Sequence, residues 1–362
     1  MSSSRLLVVD LDPESINALS RNFWNSAILR AGIKLDIFSL LEPEGLTYNE
    51  TAQFLGAAPR FVHAFLNACV ALGLLELNGN EYRNSPSASN FLIKGKQHYV
   101  GDLVLHITNH WESWGRLDQL VKEGKTLLPF ETGYVDAPTY WTDYMMGQHN
   151  RAAAGQAYHL VQNVDLSGKH KLLDLGGGAA SYSIALCGVN PQLNAVVVDQ
   201  KEPLAIARGL VEEHGLQSRI TLLEGNFNTI ELGKGYDVVL ISGVVLIKSE
   251  EECRCLFKLA YDVMEPGGLV IIQDFMRVDH SPERSFMDTL MDIYVLIAFD
   301  PCAGDRFGDE LAAWLEDAGF RKPKMIPLPT HLALILAEKP LSYNSPEEPR
   351  TTRPPQFLPT EP

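Results

Sequence analysis

The residues best placed to do chemistry in this chain are a run of glycines set between two acids. Lys171-Leu-Leu-Asp-Leu-Gly-Gly-Gly-Ala-Ala-Ser-Tyr182 passes from a short apolar run (Leu172, Leu173, Leu175) into Gly176-Gly177-Gly178, and then into helical spacing from Tyr182 to Cys187. A strand, a glycine turn and a helix in that order bring backbone N–H groups up against a nucleotide-like ligand. Glycine is needed there because a Cβ would clash with the ligand or forbid a positive φ. The next apolar run, Asn194-Ala-Val-Val-Val-Asp199, ends in a carboxylate, where an acid can accept hydrogen bonds from two ribose hydroxyls.

The surrounding pattern supplies elements to hold these residues. Apolar runs at 219–223, 236–242, 269–274 and 331–337 alternate with helical spacing at 203–214, 250–264 and 309–318. Such alternation predicts an α/β fold with a doubly wound, mostly parallel sheet and helices on both faces, its ligands lying beyond the carboxyl ends of the strands. Gly178, Asp199, Asn226, Ser242 and Asp274 all fall at those ends. Five candidate positions along one sheet edge weigh more than any one of them.

Histidines form a second group of candidates. His106 and His110 stand one helical turn apart, with Trp114 one turn further on. They suit a substrate pocket, or simple packing against Trp114, and no third ligand stands at a spacing that would make a metal site. Met145 and His149 belong to an aromatic-rich helical segment shortly before the first strand, which reads as a cover for the ligand cleft.

Composition narrows the partners. A formal net charge of −15 argues against nucleic acid and anionic membranes, because phosphate binding needs a basic surface. No apolar run approaches the roughly 20 residues of a spanning helix, and Met1–Asp10 is too short and too soon interrupted by Asp10 to act as a signal peptide. The five cysteines are odd in number and scattered, as expected of reduced cytoplasmic thiols. Cys253 and Cys255 would point roughly 200° apart on a helix, a poor metal clip.

The N-terminal part reads differently. Asp12-Pro13 opens a helix whose apolar residues recur at three and four through Leu41, giving more apolar faces than a small domain can bury; helix pairing between subunits would cover them. Thr47-Tyr-Asn-Glu50 is a capping box, and Pro59 starts a helix that Gly73 stops. Asn78-Gly79-Asn80 then turns a two-stranded hairpin. Helix, helix and wing make a winged-helix pattern, but the would-be recognition helix offers only Arg60 and His63, so the pattern favours packing or dimerisation over DNA binding. Beyond Pro340 the chain is rich in Pro, Glu and Thr and reads as a disordered tail.

Taken together, Leu173-Asp-Leu-Gly-Gly-Gly178, Asp199, Gly225-Asn-Phe227, Pro266-Gly-Gly268 and Ala318-Gly-Phe320 resemble the small-molecule O-methyltransferases that use S-adenosylmethionine (SAM), in the plant-type group and its bacterial relatives. The resemblance runs from about Pro13 to Pro340. It implies an α-helical winged-helix dimerisation domain (1–100), a helical linker over the substrate pocket (101–165), a Rossmann-like SAM domain (166–340) and the tail (341–362). It implies SAM as cofactor, a homodimer and a small-molecule acceptor of aromatic or polyketide-like type. Asp174, Gly176, Gly178, Asp199, Asn226, Phe227 and Ser242 would then hold the cofactor, while His106, His110, Trp114, Met145 and Leu246 would line the substrate pocket.

The chain departs from that family where the family keeps its base. A His-Asp pair usually follows the fourth strand of the sheet; those positions fall on Leu246 and Ile247, neither of which takes a proton. Two carboxylates of the kind that orient that histidine stand at Asp274 and Asp305. Methyl transfer from a sulfonium depends mainly on positioning, and a base, where one is needed, is worth about 10² to 10⁴-fold. Three readings follow: another histidine serves, with His149 foremost and His106 and His110 behind it; the acceptor needs no base; or the fold has been turned to a non-methylating cyclisation or rearrangement.

Overall fold

The computed structural model describes residues 12–280, 286–304 and 306–341. Asp305, the leading Met1–Asp10 and, apart from Leu341, the expected tail lie outside the described residues.

The first helix, Pro13–Lys34, starts as its sequence requires: the Asp12 carboxylate accepts from the Ser15 N–H at 2.7 Å and Pro13 sits in the first turn. The helix was expected to run on to Leu41. It breaks instead at Asp36, whose φ of 50° is a left-handed conformation that a short polar side chain tolerates, and resumes as Ile37–Leu40. The break lets Ile33, Ile37, Phe38 and Leu41 turn into a core with Val62, Leu66, Cys69 and Tyr82. On the outer side Ile16, Leu19, Phe23 and Trp24 remain 54%, 59%, 56% and 53% exposed. The capping box of Thr47 and Glu50 closes on both sides. Strands β1 (Leu46–Thr47), β2 (Leu75–Asn78) and β3 (Glu81–Asn84) form a small antiparallel sheet in the order β1-β3-β2, its hairpin turning at Gly79 with φ 66°.

Helices Gly101–Asn109, Trp111–Gly115, Leu117–Glu123 and Ala137–Arg151 bridge to the second part. The last of these runs through a π-turn (Ala152–Gln156) into Ala157–Asn163. Seven further strands among the described residues build one sheet: β4 (Lys171–Leu175), β5 (Asn194–Asp199), β6 (Ile220–Glu224), β7 (Tyr236–Ser242), β8 (Met264–Asp274), β9 (Arg321–Pro327) and β10 (Ala333–Glu338). Their order is β6-β5-β4-β7-β8-β10-β9, parallel from β6 to β8, with β10 antiparallel to both of its neighbours. The chain winds outward from β4 in one direction and then, from β7 on, in the other. A crevice must therefore open between the carboxyl ends of β4 and β7. Both sheet faces are covered, which explains the unbroken apolar run Val238–Ile241: Val239 and Ile241 join one core and Val238 and Leu240 the other.

Two of the larger elements went unread in the sequence. Strand β9 carries Lys322, Pro323 and Lys324, residues that argue against a strand in general but suit one at a sheet edge, where β9 lies. Helix Phe286–Ala298 is apolar around much of its circumference, and so gave no clean helical stripe. No single helix among the described residues is long and apolar enough to cross a membrane.

Glycine at 177 is a packing requirement. A Cβ there would lie 2.6 Å from Val197 and 2.7 Å from the Asp174 carboxyl, whereas Gly188, exposed in the following helix, has nothing within 4 Å. Gly177→Ala should cost about 1–3 kcal/mol by overpacking, while Gly188→Ala should add roughly 0.5 kcal/mol by restricting the unfolded chain. Denaturation midpoints check both; equal midpoints for the two variants would refute the account.

Candidate active site

The crevice is a cavity of about 730 Å³. Asp174, Gly176, Gly178, Asp199, Asn226, Phe227 and Ser242 all line it, as does Met145. Gly176 and Gly178 take φ values of 72° and 54°, which a side chain would strain. Ala180, where the family pattern has its last glycine, keeps the left-handed conformation at φ 61° and caps the helix Ser181–Val189.

The loop is held from β5. Asp199 accepts from the Gly178 N–H at 2.8 Å through one carboxylate oxygen and from the Gln200 N–H at 2.7 Å through the other. The Gly176 N–H donates to the Val198 carbonyl at 2.9 Å. Burial raises the Asp199 pKa, against the pull of those two N–H bonds. Asp174 is 1% exposed; one oxygen accepts from Ser183 Oγ at 2.6 Å and the other has no partner. Burial pushes its pKa up to about 7, opposed by the Ser183 bond. Gln273 shows the same half-satisfaction: Nε2 donates to Ser242 Oγ at 3.0 Å and Oε1 is unpartnered. Orphaned buried acceptors beside open space fit a ligand that brings hydrogen-bond donors and positive charge. Such a set suits the ammonium and ribose of SAM. Asn226 Oδ1 accepts from the Asn228 N–H at 2.9 Å. Phe227 lies under Lys248, whose Nζ is 5.8 Å from the ring centre and 3.0 Å from Glu252.

The expected catalytic and substrate residues are mostly elsewhere. His149 does not line the cavity; its Nδ1 faces Ser181 Oγ at 2.9 Å, and burial lowers its pKa. Asp274 is buried beneath the segment after β7. It accepts from the N–H groups of Val245 (2.8 Å), Leu246 (3.1 Å) and Phe275 (2.9 Å), so it anchors backbone and contacts no histidine. Burial raises its pKa to about 6 despite these donors. His106 and His110 are fully buried behind the wall, in an aromatic cluster with Tyr140, Tyr144 and Tyr294. His106 Nε2 meets the Tyr294 hydroxyl at 2.9 Å, and desolvation drives the His110 pKa down to about 4. Helical spacing placed the pair on one face correctly but could not tell a cavity from a core. Trp114 packs with Leu120, Ile297 and Ala298, and Leu246 with Val295 and Ala303; neither lines the cavity. Its wall is completed by Trp141, Tyr144, Ile247, Phe275 and Phe299, and by Gln148, Arg151, Gln156 and Tyr182. Sequence reasoning missed Arg151 and Gln156, whose only signal was their place just before and within the π-turn.

Comparison with known proteins agrees with this geometry. The family model described as an O-methyltransferase domain matches residues 114–321, and that of the O-methyltransferase dimerisation domain matches 18–94. The chain is similar to a 3-hydroxy-5-methyl-1-naphthoate 3-O-methyltransferase of Streptomyces sahachiroi, 29% identical over 85% of this chain and 89% of that one. It is also similar to the N,N-dimethyltransferase OxyT of Streptomyces rimosus, 28% identical over 90% and 96%. Among solved structures, human N-acetylserotonin methyltransferase in complex with SAM shares the fold with a TM-score of 0.81, at 22% identity over 94% of this chain and all of that one. The chain belongs to the O-methyltransferase family and is an S-adenosylmethionine-dependent methyltransferase with an N-terminal dimerisation domain.

Proposed function

We propose that the acceptor is a small aromatic molecule of polyketide type, methylated on a phenolic oxygen by a homodimer in the cytoplasm. The observation that carries this reading is the divided character of one cavity. Acids and amides gather at the glycine loop, while Trp141, Tyr144, Met145, Phe275 and Phe299 line the remainder. Such a wall fits a flat ring system and leaves few polar groups to orient it. The hydroxynaphthoate in the name of the S. sahachiroi relative supports an oxygen acceptor; the name of the S. rimosus relative makes nitrogen the rival. The exposed apolar residues of helix Pro13–Lys34 support subunit pairing. Free, buried Cys69, Cys187 and Cys253 suit a reducing compartment. The division into 1–100, 101–165, 166–340 and 341–362 belongs to the same proposal.

When bound, SAM supplies an electrophilic methyl group on a sulfonium. The protein's part is then positional. Asp199 shapes the glycine loop and faces the ribose site, and Asp174 offers its free oxygen to a cation. Asp274 fixes the backbone of Val245 and Leu246, so that the adjoining Ile247 closes the wall and excludes water. Mass spectrometry of products formed from labelled SAM with a panel of hydroxynaphthoates, hydroxyquinones and aromatic amines tests the acceptor. Methyl ethers are expected; transfer to the amines alone would refute the oxygen reading.

Three further outcomes are expected. Asp199→Ala should lower SAM affinity at least about tenfold in titration calorimetry, losing its hydrogen bonds of about 1.5–3 kcal/mol each; unchanged affinity would remove it from the site. His149→Ala should lower turnover far less than the roughly 10² to 10⁴-fold owed to a general base, and a drop of that size would restore His149 to the role. Asp174, with its folded pKa raised to about 7 from 3.8, contributes stability that is present below pH 4 and lost as the pH rises through 7. The melting temperature of Asp174→Asn relative to the natural protein should therefore climb between pH 5 and pH 8. A constant difference would mean that the buried carboxyl does not titrate there.

A further inference from the structure

An arginine of the dimerisation domain reaches toward the aromatic wall of the cavity. Arg30 stands near the end of helix Pro13–Lys34, half-buried, and its guanidinium donates to three acceptors in the last turns of helix Gly101–Asn109. These are the Leu105 carbonyl at 3.1 Å, Thr108 Oγ1 at 2.6 Å and Asn109 Oδ1 at 2.9 Å. A cation there also complements the negative end of the helix dipole. Thr108 is free to accept because its own hydroxyl donates to the Val104 carbonyl at 2.6 Å. Asn109 is fully buried, and both ends of its amide are used: Nδ2 donates to Asp143 Oδ2 at 2.8 Å. A guanidinium only donates and an ionised carboxylate only accepts, so Arg30 fixes which end of the amide faces Asp143. Asp143 lies on helix Ala137–Arg151, between Trp141 and Tyr144, and that helix carries Trp141, Tyr144, Met145 and Gln148 into the cavity wall. The other end of helix Gly101–Asn109 is tied to the same helix by Asn150, whose Oδ1 accepts from the N–H groups of Asp102 (3.1 Å) and Leu103 (3.3 Å). Between the two ties the helices run close: a Cβ on Gly147 would lie 3.1 Å from Leu103 Cα.

With Asn150 alone, helix Ala137–Arg151 is held near its C-terminal end. Asp143 adds a second point about two turns away, and two points fix the rotation of a helix about its own axis. We propose that Arg30 is a positioning residue for the acceptor: through Asn109 and Asp143 it sets where the aromatic wall stands. This rests on the assignment of that wall to the acceptor, argued above. The cofactor loop is held separately, from Asp199, and does not depend on the relay. Phe23, seven residues before Arg30 and so on the same face of its helix, packs against Trp111 with ring centres 6.0 Å apart and remains largely exposed. The helix that offers the subunit-pairing face therefore also carries the arginine that orients the wall. In-line transfer depends on the placement of the acceptor oxygen, so a wall turned by a fraction of its present angle weakens acceptor binding without touching SAM.

The test compares three variants of the full-length protein, loaded with S-adenosylhomocysteine, with the natural chain. Arg30→Met removes the donor. Asn109→Asp keeps an acceptor for Arg30 but sets two carboxylates face to face, and the double variant Asn109→Asp/Asp143→Asn reverses the hydrogen bond and restores it. Amide hydrogen exchange over residues 137–151 should quicken at least about fivefold in the first two and return to within about twofold in the double variant, with residues 176–199 unchanged in all three. With 2-naphthol as methyl acceptor, kcat/KM should fall at least about fivefold in the first two, chiefly through KM, and recover in the double variant, while S-adenosylhomocysteine affinity stays within about threefold. A tie that served stability alone would lower the melting temperature and leave KM where it was. Unchanged exchange and KM in Arg30→Met overturn the proposal, as does a double variant that restores neither. A loss of S-adenosylhomocysteine affinity in step with KM overturns it too, because the arginine then supports the whole fold. If Arg30→Met does not fold, Asn109→Asp and its rescue decide. If the natural protein methylates no phenol, the phenolic reading fails by itself, and the exchange measurement, which needs no acceptor, still decides this one.

Discussion

A single carboxylate joins the two strands on which the site depends. Asp199, at the end of β5, reaches across to the Gly178 N–H after β4 and ties down its own neighbour, Gln200, with the other oxygen. That bond sets the curvature of Gly176–Gly178, and the loop can follow it only because Gly176 and Gly178 accept positive φ and Gly177 has no side chain to collide with Val197. The loop in turn caps the helix Ser181–Val189 through Ala180, and Ser183 on that helix returns a hydrogen bond to Asp174 in β4. Strand, loop, helix and second strand are therefore closed into one polar ring at the topological switch of the sheet. The ring is closed by the protein's own hydrogen bonds, and its one free acceptor, Asp174 Oδ1, belongs to a residue that lines the crevice.

The same economy governs the other side of the crevice. Asp274 spends its carboxylate on three backbone N–H groups of the segment after β7 and of Phe275, which fixes where Leu246 and Ile247 lie. In a chain with a histidine at 246 such an acid would have a second use as its orienter. Here it has become an anchor, and the side chain above it packs with Val295 and Ala303. The backbone requirement is independent of the side chain above it: an acid under a turn is held there by its hydrogen bonds whatever residue stands at 246.

How far the sequence could be read follows from what each signal encodes. Caps, turns and strand runs are local, so Asp12, Thr47, Gly79 and the Gly176–Gly178 run identified their elements directly. The cofactor-side residues were legible because a parallel sheet puts every strand's carboxyl end on one edge, and reading the strands sufficed to gather Gly178, Asp199, Asn226 and Ser242; Asp274, gathered with them, is spent on backbone N–H groups beneath the wall instead. The substrate side is built from helices whose mutual placement no periodicity records. His106 and His110 share a helix face, yet which surface that face meets depends on the helices 137–151 and 286–298, and they turn out to face tyrosines in a core. The latter helix was not read at all. Arg151 was invisible for a related reason: a cation in the last turn of a helix is ordinary, and only the π-turn after it and the cavity beside it give it meaning.

The catalytic consequence is a change in which partner carries the acid–base burden. With a histidine present, an enzyme of this type can accept a hydroxyl in its neutral form and remove the proton as the bond forms. If no other residue serves as base, Leu246 and Ile247 in that place mean that the free energy of ionisation has to be met before transfer, by the acceptor's own acidity and by the electrostatics of the wall. The tyrosines of the wall supply only weak dipoles toward that ionisation. Substrate choice then follows from ionisation as much as from shape. On that condition, acceptors whose hydroxyl is conjugated to a carbonyl or to an extended ring system are favoured over aliphatic alcohols of the same size, because only the former reach the anionic state at modest cost near neutral pH.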